Sequence, residues 1–307
     1  MSKPKVAITI GDPAGIGPEI TYRAINSLEV QRVCSPVVFG DKKILDSYFK
    51  KRKAKAEFVY SSDFNAKIKN GVPSKISGLI ACKAIEAAVK YCMEGQALSM
   101  VTAPVSKESF KLAGLKVPGH TEYLAQLTNS KNCCMMMMCG KINSVMVTRH
   151  LPVNQISCRL TKQEIISTVK TASAFISRFK KNPKTVICAL NPHAGDNGIL
   201  GLEEKEIISP AVKSLKKAGF NVTGPLPADS AWMKTINGGF DLITAIYHDQ
   251  IMIPLKVIAP EKIINVTAGL PFLRTSPGHG TAFDIAGTNT ADESAMIEAV
   301  IFAAQRA

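Results

Sequence analysis

Long apolar runs are what this chain most clearly lacks. None of its 307 residues falls in a window approaching the roughly 18 uninterrupted apolar residues of a membrane helix, so no spanning segment is expected. Aromatic residues are scarce, at 6% with a single Trp, and they do not interleave with the basic residues as nucleic-acid stacking would need. No CxxC pair occurs among the eight cysteines at 34, 82, 92, 133, 134, 139, 158 and 188. Most lie inside apolar stretches, which reads as buried reduced thiols; a zinc site or disulfide framework at Cys133, Cys134 and Cys139 is the less favoured alternative. A signal-peptide pattern is missing too, since Met1-Ser2-Lys3-Pro4 runs straight into Val6–Ile10, and a cytoplasmic location is expected. Acidic residues are outnumbered, 24 against 38 basic ones, for a formal charge of +14. The excess crowds at Lys42, Lys43, Lys50, Lys51, Arg52, Lys53 and Lys55, which reads as a solvated basic face and suits an anionic substrate better than a nucleic acid.

What is present is alternation of short β-rich runs with helical patterns. Strands are expected at Lys5–Ile10, Val37–Phe39, Leu98–Thr102, Met135–Met138, Ser144–Thr148, Thr185–Leu190, Leu242–Ala245 and Lys262–Thr267. Ile80–Met93 and Thr161–Phe179 carry apolar residues at helical spacing, the second opened by Thr161 with Glu164 three residues on, a capping box. That order predicts an α/β fold of mainly parallel sheets flanked by helices. The chain is about two domains long, with a boundary near residue 126 and units that need not be continuous in sequence.

Histidine is rare, with five in all, and three follow strand-like runs: His150 after Val145–Arg149, His193 after Cys188–Pro192, and His248 after Leu242–Tyr247. Parallel strands end at one edge, so these imidazoles are expected to converge there, as a metal site of catalytic type requires. A hydrogen-bonded structural role for each histidine is the alternative, since ligands so far apart lack the specificity of a compact motif. Lys256, Asn265 and Arg274 form a second constellation, two cations and an amide, able to clamp an anionic substrate. Surface charges flanking a buried strand would look the same. Gly11-Asp12-Pro13-Ala14-Gly15-Ile16-Gly17-Pro18 follows a strand and opens a helix, with Pro18 in its first turn. Ile20 stands where a dinucleotide fingerprint needs its third glycine, so a tight turn accounts for these glycines.

GDPAGIGPEI, VTAPVSKE, PGHTEYLA, TRHLPV, LNPHAGDNG, GPLPADS, YHDQ and NVTAGLPFLRTS occur in this order over essentially the whole chain. Together they resemble the 4-hydroxythreonine-4-phosphate dehydrogenases of vitamin B6 synthesis. The resemblance implies a two-domain fold like isocitrate and isopropylmalate dehydrogenases, with a discontinuous cofactor-binding domain (1–126 plus 266–307) and a dimerisation and metal/substrate domain (127–265). It implies a homodimer with active sites built from both subunits, one of His150 and His248 then coming in trans. His150, His193 and His248 match the metal ligands, for zinc first, or magnesium or cobalt. His120, Thr121, Lys256, Asn265 and Arg274 match substrate contacts, and Asp229 matches an acidic position near the metal, a proton-transfer group. His279, Gly280, Thr281 and Asp284 resemble the loop that holds the adenosine half of the cofactor in related dehydrogenases, where an acid at Asp284 favours NAD over NADP.

Three positions depart from the pattern. Gly278 precedes HGTA where Asp is common, Arg149 stands where a second threonine is usual, and Ile251 follows YHDQ in place of glycine. The implied reaction is oxidation of 4-phosphohydroxy-L-threonine at its C3 hydroxyl, with loss of carbon dioxide, to 3-amino-2-oxopropyl phosphate. Oxidative decarboxylation of a related phosphorylated hydroxy acid, a three-histidine zinc hydrolase and a basic nucleic-acid-binding protein are the alternatives. NADH formation separates the hydrolase from the others, and binding that survives moderate salt would favour the nucleic-acid reading.

Overall fold

The computed structural model describes residues 3–117 and 119–306; Met1 and Ser2, the proline of PGHTEYLA at 118, and Ala307 lie outside the described residues. The chain forms two compact units, Met1–Ser130 with Ile264–Ala307, and Lys131–Ile263.

In the first unit, β1 (Lys5–Thr9), β2 (Ser35–Asp41), β3 (Glu57–Ser62) and β4 (Ser99–Thr102) are all parallel, in the order β3-β2-β1-β4. Two late strands return to this unit, labelled β10 (Ile263–Ala268) and β11 (Leu273–Pro277); β11 runs parallel to β4, and β10 antiparallel to β11. Parallel neighbours need crossover connections, which the helices Gly17–Asn26 and Lys75–Met93 supply. Ala81, Ala84, Ile85 and Ala88 of the longer helix pack on Ala7, Val37 and Met100 of the strands.

The second unit holds β5 (Cys134–Cys139), β6 (Ile142–Met146), β7 (Thr185–Cys188), β8 (Val222–Leu226) and β9 (Leu242–Ala245), in the order β5-β6-β9-β7-β8. Only the β5–β6 hairpin is antiparallel. Both faces of this sheet are covered. Val186 and Ile243 pack with Trp232, Ile251 and Leu255, while Ile187 packs with Ile165, Val169 and Val212 behind it. Side chains of consecutive strand residues point to opposite faces, so a strand covered on both must be largely apolar, as Val186–Ile187–Cys188 is.

Three strands were not foreseen. Glu57–Ser62 is half exposed and sits beside the lysine cluster, Val222–Leu226 contains Gly-Pro, and Leu273–Pro277 carries Arg274 and ends in proline. The last two have weak strand composition, with Pro in each, and all three are fixed by pairing with a neighbour. Among the cysteines, Cys158 is exposed and Cys133 half-buried, which corrects the expectation of a wholly buried set. Burial pushes the thiols of Cys34, Cys82, Cys92, Cys134 and Cys188 up to about 12, so they stay protonated. Among the described residues no helix is long and apolar enough to cross a membrane.

The helix Lys162–Ile176 starts at the capping box foreseen: Thr161 Oγ1 accepts from Glu164 N at 3.1 Å, and Glu164 Oε2 accepts from Thr161 N at 3.2 Å. Thr161→Ala is expected to cost about 1 kcal/mol of stability, and Thr161→Asp to retain most of it. A urea midpoint that does not fall in the alanine variant would show that the cap contributes nothing.

Candidate active site

In the unit Lys131–Ile263, strand register decides where the histidines go. Ser144, Val145 and Met146 of β6 lie opposite Ile243, Thr244 and Ala245 of β9, whose other side pairs with Thr185, Val186 and Ile187 of β7. The three strands therefore end at one edge, and His150, His248 and His193 lie just beyond it. Pairing of β6 with β9 continues past the ladder: Val147 N donates to Ala245 O, and Thr148 N and Oγ1 both donate to Ile246 O. It brings the rings of His150 and His248 to 5.8 Å between centroids. They line a hollow of about 200 Å³ with Arg149, Tyr247 and Asp249.

Asp249 Oδ1 stands 2.7 Å from His248 Nδ1. A carboxylate there favours the proton on Nδ1 and leaves Nε2 as a lone-pair donor, the form in which imidazole binds a metal. Two adjacent imidazoles, one oriented by a carboxylate, fit a divalent cation. Among the described residues of one chain, no three His, Cys, Asp or Glu side chains group closely enough to hold a metal, so His193 does not join the pair. His150 and His248 lie side by side within one chain, set there by the β6–β9 pairing.

His193 occupies a segment with its own constraint. His193, Ala194, Gly195, Asp196 and Asn197 all have positive φ, from 42° to 77°, a left-handed turn inside Pro192–Gly198. Left-handed backbone costs a non-glycine residue about 1–2 kcal/mol, so something must hold it. Glu204 does. Its buried carboxylate accepts from Leu190 N and Asn191 N, each at 2.8 Å, and from Asn191 Nδ2 at 2.9 Å. A β-carbon on Gly195 would lie 2.6 Å from Glu204 Oε2, so the loop and the carboxylate are in direct contact. Sequence reasoning missed Glu204, and its only signal is a glutamate soon after a glycine-rich loop. Asp229 is exposed in the first turn of the helix Ala228–Ile236, and Lys256 is exposed in the last turn of the helix Asp249–Ile258.

In the other unit, Arg274 of β11 is 1% exposed. Its Nη1 donates to Thr267 Oγ1 at 3.0 Å and its Nη2 to Thr102 Oγ1 at 2.6 Å, while Nε finds no partner. Thr267 and Thr102 were not foreseen; each closes a motif, NVT or VT, at the end of a strand beside β11. Burial holds the guanidinium pKa below its ordinary value, partly offset by Glu122. Two neutral hydroxyls and the more distant Glu122 carboxylate leave that charge only partly compensated, a costly arrangement that an anion would complete. His120 lies close enough for the Arg274 charge to act on it, and burial first, then that charge, keep its imidazole well below the usual range and neutral. Its Nε2 is shielded from solvent without a hydrogen bond, as is Asn265 Oδ1, on the face of β10 that also carries Thr267. Thr121, the next residue in the helix His120–Leu127, is buried. Unmet polar atoms on Arg274, His120 and Asn265 mark a place for a polar, anionic ligand.

The loop with His279, Gly280, Thr281 and Asp284 lies in this same unit; His279, Gly280 and Asp284 are exposed, and Thr281 is half-buried. Asp12, in the GDPAG turn, is another residue the sequence did not single out for a role. It is fully buried, its Oδ1 accepts from Ala14 N at 2.9 Å, and burial raises its pKa.

The family model described as pyridoxal phosphate biosynthetic protein PdxA matches residues 32–303. A 4-hydroxythreonine-4-phosphate dehydrogenase of a Sulfurihydrogenibium species is 40% identical, over 96% of this chain and 96% of that protein. A D-threonate 4-phosphate dehydrogenase of Pectobacterium atrosepticum is 35% identical, over 98% and 99%. The crystal structure of 4-hydroxythreonine-4-phosphate dehydrogenase from Klebsiella pneumoniae superposes with a TM-score of 0.90 at 33% identity, covering 99% of this chain and 100% of that one. With a match of this length in sequence and in fold, the chain belongs to the PdxA family of pyridoxal phosphate biosynthetic proteins.

Proposed function

We propose that this chain is a 4-hydroxythreonine-4-phosphate dehydrogenase, oxidising and decarboxylating 4-phosphohydroxy-L-threonine to 3-amino-2-oxopropyl phosphate on the route to pyridoxine 5'-phosphate. The observation that carries the reading is Arg274, a buried cation bonded only to neutral hydroxyls and flanked by other unmet polar atoms. Such a group binds an anionic substrate strongly because water does not compete for it.

A nicotinamide cofactor held along His279, Gly280, Thr281 and Asp284 supplies the hydride acceptor, and a divalent cation at His150, His193 and His248, zinc ahead of magnesium or cobalt, supplies charge neutralisation at the reacting oxygen. The chain's own residues do the rest. Arg274 neutralises one anionic group of the substrate, and Lys256 and Asn265 are assigned further contacts. Neutral His120 offers one N–H donor and one acceptor, so it can orient a substrate hydroxyl or phosphate without adding charge. Thr121 lies beside it in the same turn. Asp229, exposed at a helix start, is assigned the proton transfer. NAD is preferred to NADP because Asp284 would repel a 2'-phosphate. The enzyme is assigned to the cytoplasm, as a homodimer in which His193 completes the metal site of the partner subunit.

D-threonate 4-phosphate is the second reading, favoured by the relative of that name. The two substrates differ at C2, amine against hydroxyl. Purified protein given each with NAD and a panel of divalent metals decides between them by the rate of NADH formation, and NADH from neither substrate would sink both readings.

Arg274→Met fills the same space without charge, and its kcat/KM for the phosphorylated substrate is expected to fall about 100-fold, with the NAD KM within about twofold. Its thermal midpoint is expected to hold or rise, since an uncompensated charge is removed. A loss shared equally with the cofactor would place Arg274 elsewhere.

His248→Ala and His193→Ala are each expected to be inactive. Co-refolded, they should regain roughly a quarter of wild-type activity, because about half the dimers carry one chain of each and such a dimer has one intact site of two. Activity that stays at background would put all three histidines in one chain's site.

A further inference from the structure

The GDPAGIGPE motif takes no part in the substrate or metal groups above, yet its contacts are specific. Ile16 N donates to Thr281 O at 3.0 Å, and Ala14 O accepts from Gly71 N at 2.8 Å. A β-carbon on Gly15 would lie 2.7 Å from Thr281 O, and one on Gly71, whose φ is +75°, would lie 2.7 Å from Phe283 O. Asn70 Nδ2 fills the place of a β-carbon on Gly287, at 1.9 Å. Three chain segments thus meet with no side chain at the first two crossings. Downstream, the helix Gly17–Asn26 takes hold of the same loop's far end: Arg23 Nη1 donates to Ala291 O at 2.7 Å, Nη2 donates to Asn289 O at 2.6 Å, and Glu19 Oε1 accepts from Ala291 N at 3.0 Å. Arg23 and Glu19 are themselves paired at 3.0 Å. A hollow of about 210 Å³, lined by Pro13, Gly15, Tyr48, Asn70 and Gly287 among others, opens on the meeting point.

We infer that the GDPAG turn and the Asn70–Gly71 turn form a clasp that pre-shapes the loop Thr281–Gly287 for the nicotinamide cofactor, with Gly15, Gly71 and Asn70 as positioning residues. This rests on the reading of that loop as cofactor-binding. A free loop would lose conformational entropy on meeting the cofactor, and a loop already pinned at Thr281, Phe283 and Gly287 loses less, so the clasp raises affinity without touching the ligand. Asn70 and Gly71, which follow the lysine-rich segment, supply one jaw of it.

Gly15→Ala would push against Thr281 and open the clasp. It is expected to weaken NADH binding by about tenfold, measured by fluorescence titration, with faster amide hydrogen exchange over Thr281–Gly287 and a substrate KM within about twofold of wild type. Asn70→Ala removes an exposed side chain without strain, so it decides the matter if Gly15→Ala does not fold. About threefold weaker NADH binding, with faster exchange at Gly287, is expected there. Faster exchange with unchanged NADH affinity, or weaker binding with unchanged exchange, overturns the clasp. A wild-type protein that binds neither NADH nor NADPH overturns the dehydrogenase reading and the clasp's role with it, while wild-type binding beside an unaffected variant overturns the clasp alone.

Discussion

Parallel pairing is the constraint on which the candidate site depends. When neighbouring strands run the same way, all of their carboxyl ends fall at one edge, and whatever follows each strand is delivered there. In the unit Lys131–Ile263 that register sets His150 beside His248 although 97 residues of chain separate them, and it places the His193 loop after the strand on the other side of β9. No local motif could do this. Proximity is set by hydrogen bonds between backbones, and the histidines need only sit the right distance past the last paired residue.

The first unit, which carries Arg274, works through burial. Arg274 is carried by a strand whose every residue is buried, so its charge has no route to solvent and is answered directly by two hydroxyls, with Glu122 acting on it from further off. Folding accepts that cost because the rest of the core outweighs it, and an anion bound there would recover it. Binding strength and fold stability are therefore opposed at this one side chain.

Much of this was legible in the sequence, and the reasons differ by residue. Thr161 with Glu164 announces a helix start because the capping bonds are local, and Leu242–Ala245 announces a strand because a sheet covered on both faces needs a mainly apolar, β-branched-rich run. His150 and His248 could be named from their places after strands, but their side-by-side position needed the β6–β9 register. Leu273–Pro277 could not be read as a strand at all, since arginine and proline argue against it and only its neighbours put it there. Glu204, Thr102 and Thr267 were missed for a related reason. Each acts on a residue distant in sequence or on bare backbone, and a carboxylate or hydroxyl in such a role carries no pattern of its own.

The left-handed run from His193 to Asn197 also limits how this protein can change. Positive φ admits glycine freely, asparagine and aspartate with little cost, and β-branched side chains hardly at all. Valine, isoleucine and threonine are therefore closed to these positions whatever their chemistry. A library randomised over them and sorted for folded protein would return to Gly, Asn and Asp, so the natural asparagine and aspartate there record backbone shape at least as much as function. Any redesign of the chemistry at this edge of the sheet must look past this loop to side chains on right-handed backbone.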